Sequence, residues 1–207
     1  MKKKSEQVRR SDGLERQAQI LAVSLDIFSE KGYHATRVDD IIKASHIAKS
    51  TFYFHFKNKK EILSRIIDIY FPLLYDAIKQ LDISIKKPVT DVRAIFLAVA
   101  RSLADTPEFR KLLKILLSEI IGSHDPFLDK VDTFFNDLVN LGVKYISRAQ
   151  KDGTVSGKID PFITALCVIG GLKEVLYRWL VKNDVRDVEK AFSSIVDLYF
   201  KGMVTGQ

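Results

Sequence analysis

The sequence predicts an all-α fold of about nine helices. Apolar residues recur at steps of three and four along the chain, and no segment shows the period-two alternation of a strand. Pro and Asx residues stand where helices would begin, and Gly stands where several would end. Apolar residues make up 46% of the 207 and charged residues 29%, which is enough of each for a buried core and a solvated surface. These proportions exclude a wholly disordered chain.

The composition also excludes several other classes of protein. The longest uncharged stretch, the 12 residues between Asp160 and Lys173, is shorter than the ~20 residues that span a bilayer. The N-terminal sequence MKKKSEQVRRSDG has no apolar segment typical of a secretory signal. A single cysteine, Cys167, allows no internal disulfide, and we expect it to be a small core residue. We therefore expect a soluble, cytoplasmic protein without membrane association.

The first part of the chain predicts four helices, at 14–31, 36–44, 48–54 and 58–80. Gly32 would stop the first helix. The hydroxyl of Thr36 would cap the second, with Asp39 and Asp40 in its first turn, where carboxylates suit the helix dipole. Asn58 would cap the fourth.

The remainder predicts five amphipathic helices, at 88–105, 107–121, 125–150, 160–182 and 184–203. Pro107, Pro126 and Pro161 each fit the first turn of a helix. A turn is expected at Asp152-Gly153. Connections are short throughout, and no internal repeat is visible.

Positive charge is concentrated at the N-terminal end. Residues 1–60 carry 13 Lys and Arg against 7 Asp and Glu, whereas residues 61–207 carry 20 against 19. A basic end on a nearly neutral body is typical of a protein whose N-terminal part binds a polyanion. For Lys2, Lys3 and Lys4 alone, a solvated tail is an equally good interpretation.

The second and third helices, joined by the three-residue turn 45–47, have the proportions of a helix-turn-helix. Ile41, Ile42 and Ile47 would anchor the pair on the first helix, while Phe52 and Phe56 would hold the third helix from the other side. The outward residues of the third helix are then Lys49, Ser50, Thr51, Tyr53 and His55. Such donors, cations and rings suit the phosphates and base edges of a DNA major groove.

The segment GYHATRVDDIIKASHIAKSTFYFHFKNKKEIL resembles the helix-turn-helix domain of the TetR (tetracycline repressor) family of bacterial transcriptional regulators. The matching features are Gly32-Tyr33, Thr36, Ile41, Lys49, Thr51, Tyr53, Phe56 and Lys59. The resemblance implies a DNA-binding domain at 1–57, with a basic tail at 1–13, and a helical effector-binding and dimerisation domain at 58–207. Together with the outward face of the third helix, it predicts DNA contacts from Thr36, Arg37, Lys49, Ser50, Thr51, Tyr53, His55 and Lys59.

Two residues of the turn depart from the family pattern. His46 stands where the family usually has Gly, so it must adopt a tight backbone conformation despite its side chain. Ser45 replaces the usual Ala. A phosphate contact from His46 is an alternative role for that residue.

The last two helices carry apolar residues around much of their girth, more than one hairpin can cover by packing on a single side. The excess predicts a partner surface, and the resemblance implies a homodimer formed by a four-helix bundle. The predicted interface residues are Ile163, Leu166, Gly170, Ile195 and Tyr199. Ordinary intrachain core is the alternative. A two-fold dimer would place two third helices on a near-palindromic operator.

Large apolar residues between the fifth and eighth helices would either fill a core or line a ligand cavity, and the sequence does not separate the two. The predicted effector contacts are Phe96, Arg101, Phe109, Leu113, Phe134, Leu138, Tyr145 and Tyr177. Few charges interrupt these faces, which favours a hydrophobic or amphipathic small-molecule effector.

No catalytic motif accompanies these features. The four histidines lack metal-ligand spacing, and GxSxG, P-loop and GxGxxG sequences are absent. We predict no catalytic residues, no metal and no cofactor. The expected function is that of a transcriptional repressor that binds double-stranded operator DNA and is released by its effector. A sequence-non-specific nucleic-acid or membrane-surface binder and an all-helical enzyme are the alternatives.

Overall fold

The computed structural model confirms an all-α fold for the residues that it describes. These are residues 2–84, 97–98, 101, 105–120 and 128–203, with the backbone alone described at 2–11, 74, 77–84, 120, 128 and 200–203. The eight α-helices in these ranges are α1 (Lys2–Lys31), α2 (Val38–Ala44), α3 (Lys49–His55), α4 (Lys59–Ser84), α5 (Pro107–Ile115), α6 (Leu128–Lys151), α7 (Pro161–Tyr177) and α8 (Val188–Met203). Wider π-helical turns follow α5 at Leu116–Ile120 and α7 at Arg178–Lys182.

The chain divides into two compact units, residues 1–71 and 72–207. This division does not test the functional boundary predicted after residue 57, which stays a prediction. The predicted helix at 88–105 lies mostly outside the described residues. Its four described positions, Leu97, Ala98, Arg101 and Asp105, are helical.

Helix α1 begins much earlier than the apolar pattern predicts. It runs from Lys2 rather than from Leu14, so most of the predicted basic tail is the first part of a helix. Residues 2–13 contain no proline and consist mainly of Lys, Arg, Glu and Gln, which have high helix propensity. Helix propensity therefore accounts for a helix that begins before the apolar pattern does.

Two of the predicted helix ends in the first unit are confirmed. Gly32 adopts a φ of 92°, in the region that favours glycine, and its N–H donates to the carbonyl of Phe28 at 3.1 Å. The side-chain oxygen of Asn58 accepts a hydrogen bond from the N–H of Glu61 at 2.9 Å, as an N-cap does.

The core of the first unit contains three of the five predicted anchors. Ile41, Phe52 and Phe56 are fully buried, whereas Ile42 and Ile47 are only half-buried. Phe52 and Phe56 therefore hold α3 from its inward side, and the other side chains of the helix are exposed or half-buried.

The second unit is built around a close approach of α6 and α7. A Cβ atom added at Gly142 would lie 2.9 Å from the Cβ atom of Ala165, closer than side chains pack. Asp160 caps α7 by accepting from the N–H of Ile163 at 2.9 Å, and Pro161 occupies its first turn, as predicted. The predicted turn after α6 is confirmed at Gly153, which has a φ of 73°.

One expectation for α7 is wrong. Cys167 is exposed rather than a core residue, because the described helices leave that side of α7 uncovered. The Gly170-Gly171 pair makes no close approach to other described residues of the chain. A Cβ atom at Gly170 would meet nothing within 4 Å, and one at Gly171 would make ordinary contact with Ile195 at 3.5 Å. Gly142 makes the close approach instead.

We expect Gly142→Ala to lower the free energy of unfolding by about 1–2 kcal/mol. Overpacking costs about 1–3 kcal/mol, and the better helix propensity of Ala recovers only part of it. Gly13→Ala is the matched control, since a Cβ atom there meets nothing within 4 Å inside α1. Denaturant unfolding of both variants checks this. A Gly142→Ala protein as stable as the control would contradict the close packing of α6 on α7.

Candidate nucleic-acid interface

The turn between α1 and α2 is held by the ammonium group of Lys59. Its Nζ atom donates to the carbonyl oxygens of Tyr33 at 2.7 Å, His34 at 3.0 Å and Thr36 at 2.9 Å. It also lies 4.7 Å from the centroid of the Tyr33 ring. A lysine has three donors, and these bonds use all of them. Lys59 therefore ties the first turn of α4 to the segment that leads into α2.

Thr36 was predicted to cap α2, but it does not. Its hydroxyl donates to the carbonyl of Gly32 at 2.7 Å, and its side chain is buried. The N-cap is Arg37, whose N–H donates to a carboxylate oxygen of Asp40 at 2.8 Å. The Gly32 carbonyl accepts from both the N–H and the hydroxyl of Thr36, so this side chain acts as a donor to the end of α1 rather than as an acceptor for the N–H groups of α2.

Asp40 joins α1 to the start of α2. Its carboxylate accepts from Lys31 at the last turn of α1 as well as from the N–H of Arg37. The hydrogen bond from Lys31, followed by that from Arg37, lowers the pKa of the Asp40 carboxyl below its ordinary value. The carboxylate is thus the form that holds this junction together.

The turn between α2 and α3 takes the strained conformation that the sequence requires. His46 has a φ of 51°, in the left-handed region where glycine is usual, and its side chain is exposed. Gln19 of α1 donates to the carbonyl of Ser45 at 3.2 Å. The side chain of Ser45 is fully buried, and its hydroxyl has no hydrogen-bond partner among the described residues. A phosphate contact from His46 stays a prediction.

Helix α3 presents three distinct lines of side chains. Successive residues of a helix are about 100° apart, so the buried Phe52 defines the inward direction. Ser50 and Phe54 lie opposite Phe52, furthest from the core. Lys49 and Tyr53 form one flank and are exposed, while Thr51 and His55 form the other and are half-buried. We call the outward and flanking side chains, Lys49, Ser50, Thr51, Tyr53, Phe54 and His55, the α3 surface.

Sequence reasoning missed one member of this surface, Phe54. Its side chain is 84% exposed, although an apolar ring in a short amphipathic helix is ordinarily taken for core. The signal was available, because Phe52 and Phe56 were both assigned to the core. A residue halfway between them lies about 200° from Phe52 and must point outward.

The cation of the α3 surface faces a carboxylate from α2. The Nζ atom of Lys49 lies 3.7 Å from a carboxylate oxygen of Asp39, and both side chains are well exposed. Exposed pairs of this kind contribute about 0–1 kcal/mol, so a phosphate can displace the carboxylate. Arg37, the N-cap of α2, is also exposed. Asp39 thereby orients Lys49 without immobilising it.

The same part of the chain matches a known family. The family model described as "Bacterial regulatory proteins, tetR family" matches residues 20–66, from the middle of α1 into α4. This part of the chain is a helix-turn-helix domain of the TetR family. Its helix-turn-helix is therefore α2 and α3, and the α3 surface lies on the helix that reads DNA in this class of motif.

Relatives and solved structures of regulators extend the similarity over most of the chain. The chain is 20% identical to the fatty acid metabolism regulator protein of Bacillus subtilis, over 89% of this chain and 94% of that protein. It is 28% identical to IcaR of Staphylococcus epidermidis, the negative transcriptional regulator of the biofilm operon icaADBC, over 69% and 90%. It shares the fold of SmeT in complex with triclosan, at 22% identity and a TM-score of 0.73, covering 92% of each chain. SmeT is the repressor of a multidrug efflux pump of Stenotrophomonas maltophilia.

The residues predicted to contact an effector fall into different environments. Phe109, Leu113 and Phe134 are buried, while Leu138, Tyr145 and Tyr177 are half-buried; Phe96 lies outside the described residues. Arg101 is exposed, pairs with Glu189 at 2.7 Å and lines an open surface cleft of about 480 Å³ together with Leu97, Asp187, Lys190 and Ser193. The described residues therefore do not bring Arg101 into an apolar interior.

Tyr145 has the most unusual environment of the predicted effector contacts. Its hydroxyl is buried and has no hydrogen-bond partner among the described residues. Burial raises the pKa of this phenol to about 12, so the hydroxyl keeps its proton at neutral pH. A neutral donor in apolar surroundings results.

The predicted dimer residues lie on α7 and α8, where several large apolar side chains are exposed. Ile163 and Leu166 are about half-exposed, as is the neighbouring Phe162, and Leu198 of α8 is more exposed still. Ile195 and Tyr199 are half-buried, and the surface at Gly170 is open. We call Phe162, Ile163, Leu166 and Leu198 the α7–α8 face. The described part of the chain leaves it uncovered.

The described residues contain neither a candidate metal site nor a candidate membrane span. No three His, Cys, Asp or Glu side chains there are grouped so as to hold a metal ion. No helix in the same ranges has the length and apolar character needed to cross a bilayer.

We expect Ser45→Ala to raise the free energy of unfolding by about 1 kcal/mol, because a buried hydroxyl without a partner is costly. Ser24→Ala is the matched control. Ser24 is also fully buried in the first unit, but its hydroxyl donates to the carbonyl of Ile20 at 2.7 Å, so its loss should give no gain. Thermal and denaturant unfolding distinguish the two. Equal effects of both substitutions would mean that Ser45 is satisfied in solution.

We expect Lys59→Met to lower the free energy of unfolding by about 2 kcal/mol, because three carbonyls lose a charged donor. Lys57→Met removes the same charge from an exposed side chain two positions earlier and should change stability by less than about 0.5 kcal/mol. Equal stabilities of the two variants in denaturant unfolding would contradict the structural role of Lys59.

Proposed function

We propose that this TetR-family repressor binds a near-palindromic DNA operator as a homodimer and is released from it by a hydrophobic or amphipathic small molecule. The observation that carries the proposal is the α3 surface. It combines one cation, hydroxyl donors and aromatic rings on a helix whose inward side is locked by the buried Phe52 and Phe56. Those groups match the phosphates and base edges of a major groove.

The proposed DNA contacts are Arg37, Lys49, Ser50, Thr51, Tyr53 and His55. Thr36 and Lys59 leave the set, because the hydroxyl of the one and the ammonium of the other are bonded to carbonyls of the chain. Lys49 exchanges the carboxylate of Asp39 for a phosphate or a base edge, which costs little because the pair is exposed. Lys59 acts indirectly by positioning the helix-turn-helix.

The α7–α8 face supports a homodimer. Large apolar side chains that remain exposed together mark an interaction surface, and a second copy of the same face is the partner that two-fold symmetry provides. Two-fold symmetry gives two α3 helices per dimer. Such a dimer requires an operator with two inverted half-sites.

An apolar effector is supported by Tyr145 and by the relatives. A protonated phenol that is buried without a partner among the described residues gains most from a ligand that is largely apolar and carries one acceptor. SmeT is known in complex with triclosan, and the Bacillus subtilis relative is a regulator of fatty acid metabolism. An effector that prefers one of two conformations of the dimer shifts operator occupancy through that difference in affinity.

The proposal excludes catalysis. The relatives are regulators, and the chemistry of the α3 surface is that of binding rather than bond breaking. A repressor of this kind works where the DNA is, in the cytoplasm. We also propose that the DNA-binding domain ends at residue 57 and that the effector-binding and dimerisation domain follows it.

The test is footprinting of the purified chain on DNA that flanks its own gene, in excess non-specific competitor. We expect protection of an inverted repeat by two protomers. Tyr53→Ala should weaken this binding at least about fivefold, the low end for a side chain that contacts DNA directly. Ile69→Ala is the matched control, because Ile69 on α4 is 51% exposed, as Tyr53 is.

Binding without sequence preference would instead support the non-specific alternative. Unchanged operator affinity in Tyr53→Ala would show that the α3 surface is not the reading surface.

A further inference from the structure

The most exposed large apolar side chain among the described residues is Phe54, at 84% exposure. Its ring packs only edge-on against the neighbouring His55, with centroids 5.0 Å apart. It lies on the side of α3 opposite Phe52, so it contributes nothing to the core of the first unit. The fold gives no reason for an aromatic ring at this position.

The surroundings of Phe54 are polar and cationic rather than apolar. Ser50 lies one helical turn before it on the same line, and Lys49 and Tyr53 flank that line. Lys57, just beyond the end of α3, is also exposed. A single ring inside a cationic surface is too small an apolar patch for a membrane or a protein core. Its charge complements a polyanion.

The major groove of DNA offers an apolar ring one matching group on its base edges, the 5-methyl group of thymine. We propose that Phe54 contacts a thymine methyl group and thereby specifies a T·A pair at one fixed position of each operator half-site. This inference rests on the proposed DNA-binding function and adds a base identity to it. Phe54 and Ser50 form the outermost line of α3, so the T·A base pair would lie in the middle of the surface that α3 contacts.

The experiment uses duplexes selected from a random pool by the full-length chain. Each thymine of the selected half-site is replaced in turn by uracil, which removes only the methyl group. For the unmodified protein, we expect one replacement to weaken binding about fourfold, the effect of one buried methyl group. For Phe54→Ala, the same replacement should have no effect on an affinity that is already reduced.

Two variants separate base contact from general damage to the site. Tyr53→Ala should bind more weakly yet keep the fourfold uracil effect, because it leaves the ring of Phe54 in place. Phe54→Leu should keep part of the uracil effect, because it remains apolar. The exposure of Phe54 predicts unchanged thermal unfolding for both Phe54 variants, which checks that they fold.

The outcomes separate this inference from the function on which it rests. A uracil effect of equal size in Phe54→Ala and in the unmodified protein, or no uracil effect in either, would overturn the inference and leave the repressor function intact. Failure of the random pool to yield any preferred sequence would contradict the repressor function and this inference together.

Discussion

Three backbone carbonyls in the turn between α1 and α2 accept hydrogen bonds from the ammonium group of Lys59. The C-terminal end of a helix carries partial negative charge, so a cation is favourable in the turn that follows α1. The cation comes from the first turn of α4, so α1, α4 and the approach to α2 are fixed by one group. The direction in which α2 and α3 leave α1 depends on these three hydrogen bonds. That direction in turn determines where the α3 surface points.

The α3 surface shows how packing constrains chemistry on a short helix. Seven residues give Lys49–His55 only two turns, and the burial of Phe52 sets the direction of every other side chain. Exposed residues then differ in how tightly they are held. Lys49 pairs weakly with Asp39, so its ammonium group can move to an anion at small cost. Firm packing on the inward side of the helix and weak ion pairing on its exposed side together suit a surface that must recognise a ligand.

The sequence predicted features whose cause is local. The stop at Gly32, the caps at Asn58 and Asp160 and the left-handed backbone at His46 each follow from one residue and its neighbours. The bonds of Lys59 and the contact between Gly142 and Ala165 join residues more than twenty positions apart, so no local pattern reveals them. Cys167 was misplaced for a different reason. Helix α7 is apolar around most of its girth, and such a helix carries no sign of which side faces solvent.

We propose that Lys49 contacts DNA, whereas Lys59 only positions the helices that do. The most direct test is the slope of operator affinity against salt concentration on logarithmic axes for Lys49→Met and Lys59→Met. A lost phosphate contact lowers the magnitude of this slope by about one. We predict that Lys49→Met shows this loss, whereas Lys59→Met binds more weakly with an unchanged slope. A reduced slope for Lys59→Met with normal stability would contradict the account.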